Sequence, residues 1–438
     1  GGRLIVGAKE FEPAGTPRTG EEVFDLANTR RIYVFGAGKG IQRVAKAIED
    51  VLGDRLTGGH VIDKKGHPLI LKRIGVTLGG HPAPDEDCAR GCRRILEMAK
   101  GLTENDLVFT CAANGVSSLL TMPAPGLTSE ELRQTTYVTQ IERGMPTGDL
   151  CSIRNHVDAM KGGRISRHIH PARMVHILAV DPGDYQQLMC HNVWLHTLPD
   201  CTTFQDAVST LKRWDAWEAV PESVRRHLLK ADPEQETVKV EEFQRFNFRI
   251  FGVMPGHRQT GKIYAAMKKA EEFGFKPYFL AEQLMNIEAS QAGIYIAAIA
   301  RTVERMGQPF QPPCALFSSG EMVVTVGNER GMGGRNQEFA LSAAQRIAGS
   351  KNIVIGSVDT DGTDGPGDQF AEGTEKLPCL AGGIVDGETL AAAQRAGVNI
   401  DEAIRRHNTS QALWKLNSGG VATPNLSLID LTVALVLG

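Results

Sequence analysis

Long apolar runs, aromatic rings and an excess of either charge are what this chain has least of. No apolar stretch approaches the ~20 residues that a membrane-spanning helix needs, so no membrane partner is expected. Aromatic residues make up 6% of the 438. The 48 Lys and Arg nearly balance 51 Asp and Glu, for a formal net charge of −3. A nucleic-acid-coating protein would show a large basic excess, so nucleic acid is not an expected partner either. Gly1 to Glu10 lack a basic stretch followed by a long apolar core, which argues against a secretory signal and for a cytoplasmic location. The eight cysteines form no Cys-x-x-Cys pair and read as reduced thiols. His168, His170, His176, Cys190, His191 and His196 fall close together, but without the tight paired spacing of zinc ligands. No His-Glu-x-x-His helix is present.

Glycine is what the chain has in excess: 48 residues of 438, against a typical share of ~7%. They show no collagen period and fall in short clusters between apolar runs. Such clusters mark tight loops where backbone comes close to something.

The apolar runs alternate between strand and helix patterns. Arg31 to Phe35, His60 to Asp63, Ile74 to Leu78, Asp106 to Cys111 and Met174 to Val180 read as strands. Ile41 to Leu52 and Asp87 to Lys100 carry apolar residues at helical spacing. This alternation predicts βαβ units around a parallel sheet. Charged helices fill 199–245, and a domain boundary is expected near 240–260. Beyond it come a strand at Lys276 to Leu280, a helix from Gln291 to Met306, strands at Cys314 to Ser318 and Met322 to Val326, a helix from Gln337 to Ala348, a strand at Asn352 to Val358 and an apolar run from Leu428 to Leu437.

Loops at strand ends are where ligands bind in open α/β sheets. The first, Phe35-Gly-Ala-Gly-Lys-Gly40, offers Gly36, Gly38 and Gly40 for close backbone approach to an anion, and Lys39 as a positive charge. It is not a Walker A loop, nor a dinucleotide fingerprint, because Ile41 stands where the third glycine belongs. Asp63, at the end of the next strand, does mimic a ribose-binding acid and keeps a nicotinamide reading open. His81 sits between a glycine pair and Pro82 on a stiff loop. Asp181 and Asp184 flank a turn and suit a base toward a substrate hydroxyl, or Mg2+. The densest region is Gly331-Met-Gly-Gly-Arg-Asn-Gln-Glu338, where Arg335 and Asn336 at a helix start suit an anion. Four aspartates then fall between Ser357 and Asp368, an acidic turn suited to a divalent ion or to hydroxyl groups. Together these loops suggest phosphoryl transfer to a small polyol acid.

Gly36-Ala-Gly-Lys39, Gly80-His-Pro-Ala-Pro-Asp-Glu86, Lys161-Gly-Gly-Arg164, Gly320-Glu321, Gly333-Gly-Arg-Asn-Gln-Glu338 and Asp361-Gly-Thr-Asp-Gly-Pro366 occur in the order seen in the glycerate 2-kinase family. The chain resembles that family from roughly 25 to 437, with a C-terminal half similar to the MOFRL domain. The resemblance implies a Rossmann-like parallel-sheet N-terminal domain (1–250), a second, MOFRL-like α/β domain (251–438), and an active-site cleft between them. It implies ATP-dependent, Mg2+-dependent phosphorylation of D-glycerate at the 2-hydroxyl, or of a related small sugar acid. Some family members carry a hydroxypyruvate reductase label, which the broken fingerprint does not support here. Lys39 matches a phosphate-facing lysine, Asp181 the aspartate that activates the hydroxyl, and Glu321 and Arg335 residues of the second domain. The catalytic set expected on this basis is Lys39, Asp181 and Arg335. His81, Arg154, Glu321 and Asn336 are expected to bind the hydroxy acid substrate. Gly36, Gly38, Gly40, Gly115 and Ser117 are expected at the nucleotide phosphates, and Asp361 and Asp364 at a metal. A homodimer is an open expectation.

The sequence also departs from the family pattern. A Ser-Gly-Gly-Gly-Ser loop becomes Thr110-Cys-Ala-Ala-Asn-Gly-Val-Ser-Ser118, keeping only Gly115 and Ser117. An Ala-Ser-Gly-Pro-Thr turn becomes Cys190-His-Asn-Val-Trp-Leu-His196. The Gly-Ser-Asn-Arg element becomes Val253-Met-Pro-Gly-His-Arg258, and the C-terminal Thr-Gly-Pro-Thr-Gly-Thr-Asn becomes Ser418-Gly-Gly-Val-Ala-Thr-Pro-Asn425. These changes leave an alternative open: a paralogue without nucleotide binding that acts as a lyase, isomerase or hydrolase on a hydroxy- or keto-acid.

Overall fold

Behind a two-stranded antiparallel ribbon, Arg3–Val6 (β1) with Glu22–Asp25 (β2), six apolar runs assemble side by side. They are Ile32–Ala37 (β3), Gly58–Lys64 (β4), Gly75–Gly79 (β5), Leu107–Ala113 (β6), Arg173–Ala179 (β7) and Phe248–Gly252 (β8). All neighbouring pairs among the six are parallel, in the order β5-β4-β3-β6-β7-β8. β6 is buried at every position, as a strand covered on both faces must be. The chain lays down β3, β4 and β5 in one direction and then returns to β3's other side with β6. That reversal opens a crevice at the carboxyl ends of β3 and β6, the usual ligand position in such sheets.

This computed structural model describes residues 2–7, 21–180, 192, 195–252, 261–369, 371–372 and 377–438. The chain divides into two units, Gly1–Gly256 and His257–Gly438. In the first unit the helix Ile41–Leu52 (α1) buries Ile41, Ala45 and Leu52 against the sheet. Glu86–Ala99 (α2) is capped by Asp85, whose side chain accepts from the Cys88 N–H. The Lys161-Gly-Gly-Arg164 segment is an anchor. The wholly buried Lys161 amine donates to Leu120 O at 2.8 Å and Thr121 Oγ1 at 2.7 Å, and pairs with the buried Asp158 carboxylate. It thereby fixes the end of the short helix Val116–Leu119 (α3) that follows β6.

The second unit has a mixed six-stranded sheet, in the order β13-β12-β11-β14-β10-β9. Its strands are Lys276–Glu288 (β9), Cys314–Val323 (β10), Ile353–Asp359 (β11), Gly382–Asp386 (β12), Gly419–Gly420 (β13) and Asp430–Val436 (β14). Only the β9–β10 pair is parallel. The helices Ala289–Met306 and Arg335–Ile347 share a core with Leu316, Ile355 and Ala434. The sequence reading split β10 in two because Ser-Ser-Gly-Glu resembles a turn. The strand instead runs through it, with register shifts around Ser318 and Gly320. A Cβ on Gly320 would lie 2.4 Å from Leu284 N, so this glycine marks close strand approach, not a turn. β9 likewise continues eight residues past Leu280, and β12 has no counterpart in the sequence reading.

The first unit buries histidines that must stay neutral. Burial, with Arg94 and Arg90 nearby, lowers the His60 pKa to about 4. Burial alone lowers that of His176 to about 3. A histidine whose folded pKa lies below its unfolded value takes up its proton on unfolding. Its contribution to stability is therefore complete above pH ~6.5 and is lost as the pH falls toward the folded pKa. Replacing His60 by Gln, which can still reach Thr77 Oγ1, should flatten the pH dependence of unfolding free energy between pH 6.5 and 4.5 by about 1.4 kcal/mol per pH unit. Equal slopes for the variant and its parent in denaturant titrations would refute this assignment.

Candidate active site

Three loops meet where β3 and β6 end. In the first, the Gly38 N–H donates to Ile62 O at 3.1 Å and the Lys39 N–H to Asn114 O at 2.7 Å. The second bond stitches the glycine turn to the loop after β6. The third loop, following β5, is drawn in by Ser118, whose hydroxyl donates to Gly80 O at 3.0 Å. Gly115 stands at the meeting point with φ 81°. A Cβ there would lie 2.9 Å from His81 Cδ2 and 3.0 Å from both His81 Nε2 and Lys39 Cγ. Lys39, His81 and Gly115, far apart in sequence, therefore pack against one another so closely that a side chain at 115 would collide with the other two. The Lys39 stem is buried against this loop.

Two residues beyond Gly115, Ser117 is partly exposed, and its Oγ lies 3.0 Å from His196 Nε2. His196 is buried. Burial, reinforced by the Lys161 and Arg154 charges, holds its pKa well below the ordinary value, so the ring is neutral. Arg154 lies on the helix Thr147–His156 and donates to Gln140 Oε1 at 2.5 Å. Its charge acts on His196 and on Cys151. Asp181, with the rest of its turn, and also His191 and the 253–258 element lie outside the described residues.

The glycines expected at phosphates have a nearer reason to be glycine. A Cβ on Gly36 would lie 2.7 Å from Cys111 O, and one on Gly38 2.6 Å from Ala113 O, so β6 excludes side chains there. The Gly40 N–H, at the head of α1, donates to Asp63 Oδ1 at 2.8 Å. Asp63 Oδ2 accepts from Gln42 Nε2 at 3.0 Å, and Oδ1 lies 3.1 Å from His67 Nδ1. Burial alone would raise the Asp63 pKa, but His67, Gln42 and the Gly40 amide outweigh it and leave the carboxylate ionised. Asp63 is thus a buried structural anion. This corrects its reading as a ribose-binding acid.

The second unit repeats the device. Asp364 lies at the head of the helix Arg335–Ile347, where it accepts from the Asn336 N–H at 3.2 Å, the Gln337 N–H at 2.9 Å and Asn336 Nδ2 at 3.1 Å. Burial raises its pKa to about 6. The expected metal role of Asp364 is corrected accordingly: both of its oxygens serve the helix terminus. Asp361 accepts from the Thr363 N–H at 2.8 Å. Among the described residues no three His, Cys, Asp or Glu side chains gather as a metal site. Asn336 is wholly buried and also bonds Asp430 and Ser357, so it is a scaffold residue and not a substrate contact. The glycine cluster before the helix packs on its own chain: a Cβ on Gly331 would lie 2.3 Å from Arg406 O, and one on Gly334 2.4 Å from the Asp364 carboxyl.

Arg335 is spoken for as well. Its Nε donates to Asp430 Oδ2 at 2.6 Å, and its Nη2 to Asp430 Oδ1 at 3.0 Å and Asp359 Oδ2 at 3.2 Å. Nη1 lies 3.4 Å from Glu321 Oε1. Burial opposes its charge, but the three carboxylates together raise its pKa well above the ordinary value. The sequence reading missed Asp430, although an acid inside the apolar run 428–437 was a signal for a buried partner. It also passed over His196 as a neighbour of Ser117.

The sequence of residues 7–229 matches a domain of unknown function, DUF4147, and residues 314–426 match the MOFRL family. The chain is 34% identical to a glycerate 2-kinase of Pyrococcus horikoshii over 94% of its own length and 86% of the relative's. It is 31% identical to a D-glycerate 2-kinase of Thermotoga maritima, over 98% of its own length and 96% of the relative's. A crystal structure of the glycerate kinase of Thermotoga maritima superposes with a TM-score of 0.68 at 32% identity, covering 94% of this chain and 92% of that one. With its Rossmann-type sheet, its Lys39–His81–Gly115 cluster and relatives matched along nearly its whole length, the chain belongs to the glycerate kinase family of phosphotransferases.

Proposed function

We propose that this enzyme phosphorylates D-glycerate at the 2-hydroxyl, or a closely related small sugar acid, with ATP and Mg2+ as cosubstrate and cofactor. The observation that carries the reading is the convergence of Lys39, His81 and Gly115 at the strand ends where this sheet type binds ligands. A lysine beside a glycine turn suits an anion such as phosphate. Mg2+ commonly needs only one or two carboxylates beside the substrate's phosphates, and Asp181 is the residue of this chain suited to supply one or to take the proton of the 2-hydroxyl. When bound, the nucleotide and its metal supply the phosphoryl group and neutralise its charge. Lys39 offsets negative charge on the moving phosphoryl group, and Ser117 offers a hydroxyl to an anion. The free thiols at Cys88, Cys92, Cys111, Cys151, Cys201, Cys314 and Cys379 fit a reducing, cytoplasmic setting. The alternative of a lyase, isomerase or hydrolase rests on the glycines lost around Gly115.

Incubation with Mg-ATP and D-glycerate should yield a 2-phosphorylated acid detectable by 31P NMR. Lys39→Ala should lower kcat by about 10²–10³-fold, the usual cost of losing a charge aimed at the transition state. Gly115→Ala should lower both the melting temperature and turnover, because its methyl group would collide with His81 and press on Lys39 at a left-handed backbone position. If no hydroxy acid in a panel accepts phosphate from ATP, while the acids still shift the melting temperature, the kinase reading fails and the alternative stands.

Arg335→Ala should unfold the second unit readily. It leaves buried Asp430 and Asp359 unpaired, at a cost of about 3–5 kcal/mol. A melting temperature unchanged by this substitution, together with lost activity, would instead make Arg335 a substrate clamp.

A further inference from the structure

The first unit holds a small, partly open cavity of about 10 Å³, measured over the positions that a water centre can take, so it has room for one water. Thr110, His176, His196 and Thr197 are among the residues lining it. His176 Nε2, His196 Nδ1 and Thr197 Oγ1 are all buried and have no hydrogen-bond partner among the described residues. All three residues are at least nine-tenths buried, with exposures of 1%, 2% and 4%. Three unmatched polar atoms on residues that line one water-sized space are unusual in a folded interior, where nearly every buried polar group is paired. The outer ends of the two rings are occupied: His176 Nδ1 lies 2.8 Å from Thr110 Oγ1, and His196 Nε2 lies 3.0 Å from Ser117 Oγ.

We propose that one buried water in this cavity joins His176 to His196 and fixes His196 as the positioning residue that turns the Ser117 hydroxyl toward a bound anion. In the proposed chain every hydrogen bond runs one way, from Thr110 toward Ser117. The Thr110 hydroxyl donates to His176 Nδ1, so His176 carries its proton on Nε2 and donates to the water. The water donates one hydrogen to His196 Nδ1 and the other to Thr197 Oγ1. His196 then carries its proton on Nε2 and donates it to Ser117 Oγ. With its oxygen accepting from His196, Ser117 keeps its own hydrogen to donate; the Cys151 sulfur is within its reach in the free protein, and a phosphate or carboxylate oxygen is the stronger acceptor when an anion binds. Both rings remain neutral, and no proton changes owner. The role of His196 toward an anion rests on the phosphotransferase reading, whereas the water and the ring tautomers do not.

Two measurements separate these parts. Long-range 15N–1H spectra of the histidine-labelled full chain without ligand, assigned with single variants, should show both His176 and His196 as the Nε2–H tautomer at pH 7. A crystal structure should place one water within hydrogen-bond distance of the three unmatched atoms. The Nδ1–H tautomer at His196, or a dry cavity, would overturn the proposal even in an active kinase. Kinetics with Mg-ATP and D-glycerate test the consequence. His196→Gln keeps a donor at the Nε2 position and should stay within about twofold of the parent in kcat/KM. His196→Asn keeps only the cavity-side group and should lose about tenfold, as should Ser117→Ala, the usual scale for one hydrogen bond. The Ser117→Ala, His196→Asn double variant should be no worse than Ser117→Ala alone. Equal damage from Gln and Asn, or losses that multiply in the double variant, would overturn the positioning role. A parent protein with the expected tautomers and water but no kinase activity would refute the phosphotransferase reading and the anion-facing role while leaving the buried link intact.

Discussion

Asp63 holds the head of α1 with a carboxylate that is itself buried, and the arrangement of the first unit's loops depends on it. The first N–H groups of a helix have no partner within the helix and carry partial positive charge. Here the Gly40 N–H finds Asp63 at 2.8 Å. With that end satisfied, the glycine turn is free to bond sideways, and the Lys39 N–H reaches Asn114 O. The bond fixes the height of the loop after β6 relative to the loop after β3, and with it the place of Gly115. An unpaired carboxylate in this position would be expelled to solvent or protonated. His67 and Gln42 prevent both.

Asp364 does the same for the helix Arg335–Ile347, under a different electrostatic balance. There one guanidinium faces Asp430, Asp359 and Glu321. Burial raises the Asp364 pKa to about 6 against the lowering effect of Arg335, with Asp430 adding to the rise. Buried ion pairs of this kind contribute little net stability compared with apolar packing, yet they are costly to break by halves. Their effect is to specify one arrangement. Ser357, Asn336, Asp430 and Arg335 form a connected set across β11, β14 and the helix, and each member is matched only when the others are in register.

Much of this was legible in the sequence. Strand and helix periods gave the order of elements in the first unit, and Lys39, His81, Gly115 and Ser117 were singled out from loop chemistry and motif order. What escaped was the identity of the anions. Glycines ahead of a helix signal that backbone N–H groups face a negative charge, but not whether that charge is a ligand or a side chain of the same protein. Asp63 lies more than twenty positions from Gly40, and Asp364 almost thirty from Gln337, so only the fold pairs them. The glycines at 331 and 334 likewise serve the backbone at 406 and the carboxyl of Asp364. His196 was hidden for the same reason: its partner, Ser117, is brought to it by the β6–β7 crossover.

The lost glycines around Gly115 weigh less against phosphate binding than their number implies. Ala113 is buried at the end of β6, and Val116 is buried at the first turn of α3, so their side chains point into the core and not over the ligand crevice. Asn114 contributes its carbonyl oxygen to Lys39 N–H, a backbone role open to any residue. Position 115 combines a left-handed φ of 81° with close contact to His81 and Lys39, and there glycine is kept. Ser117, the other retained residue, is the partly exposed hydroxyl of the loop. Substitution has therefore fallen where the fold uses backbone or buries a side chain, and has spared the two positions where an anion would be felt.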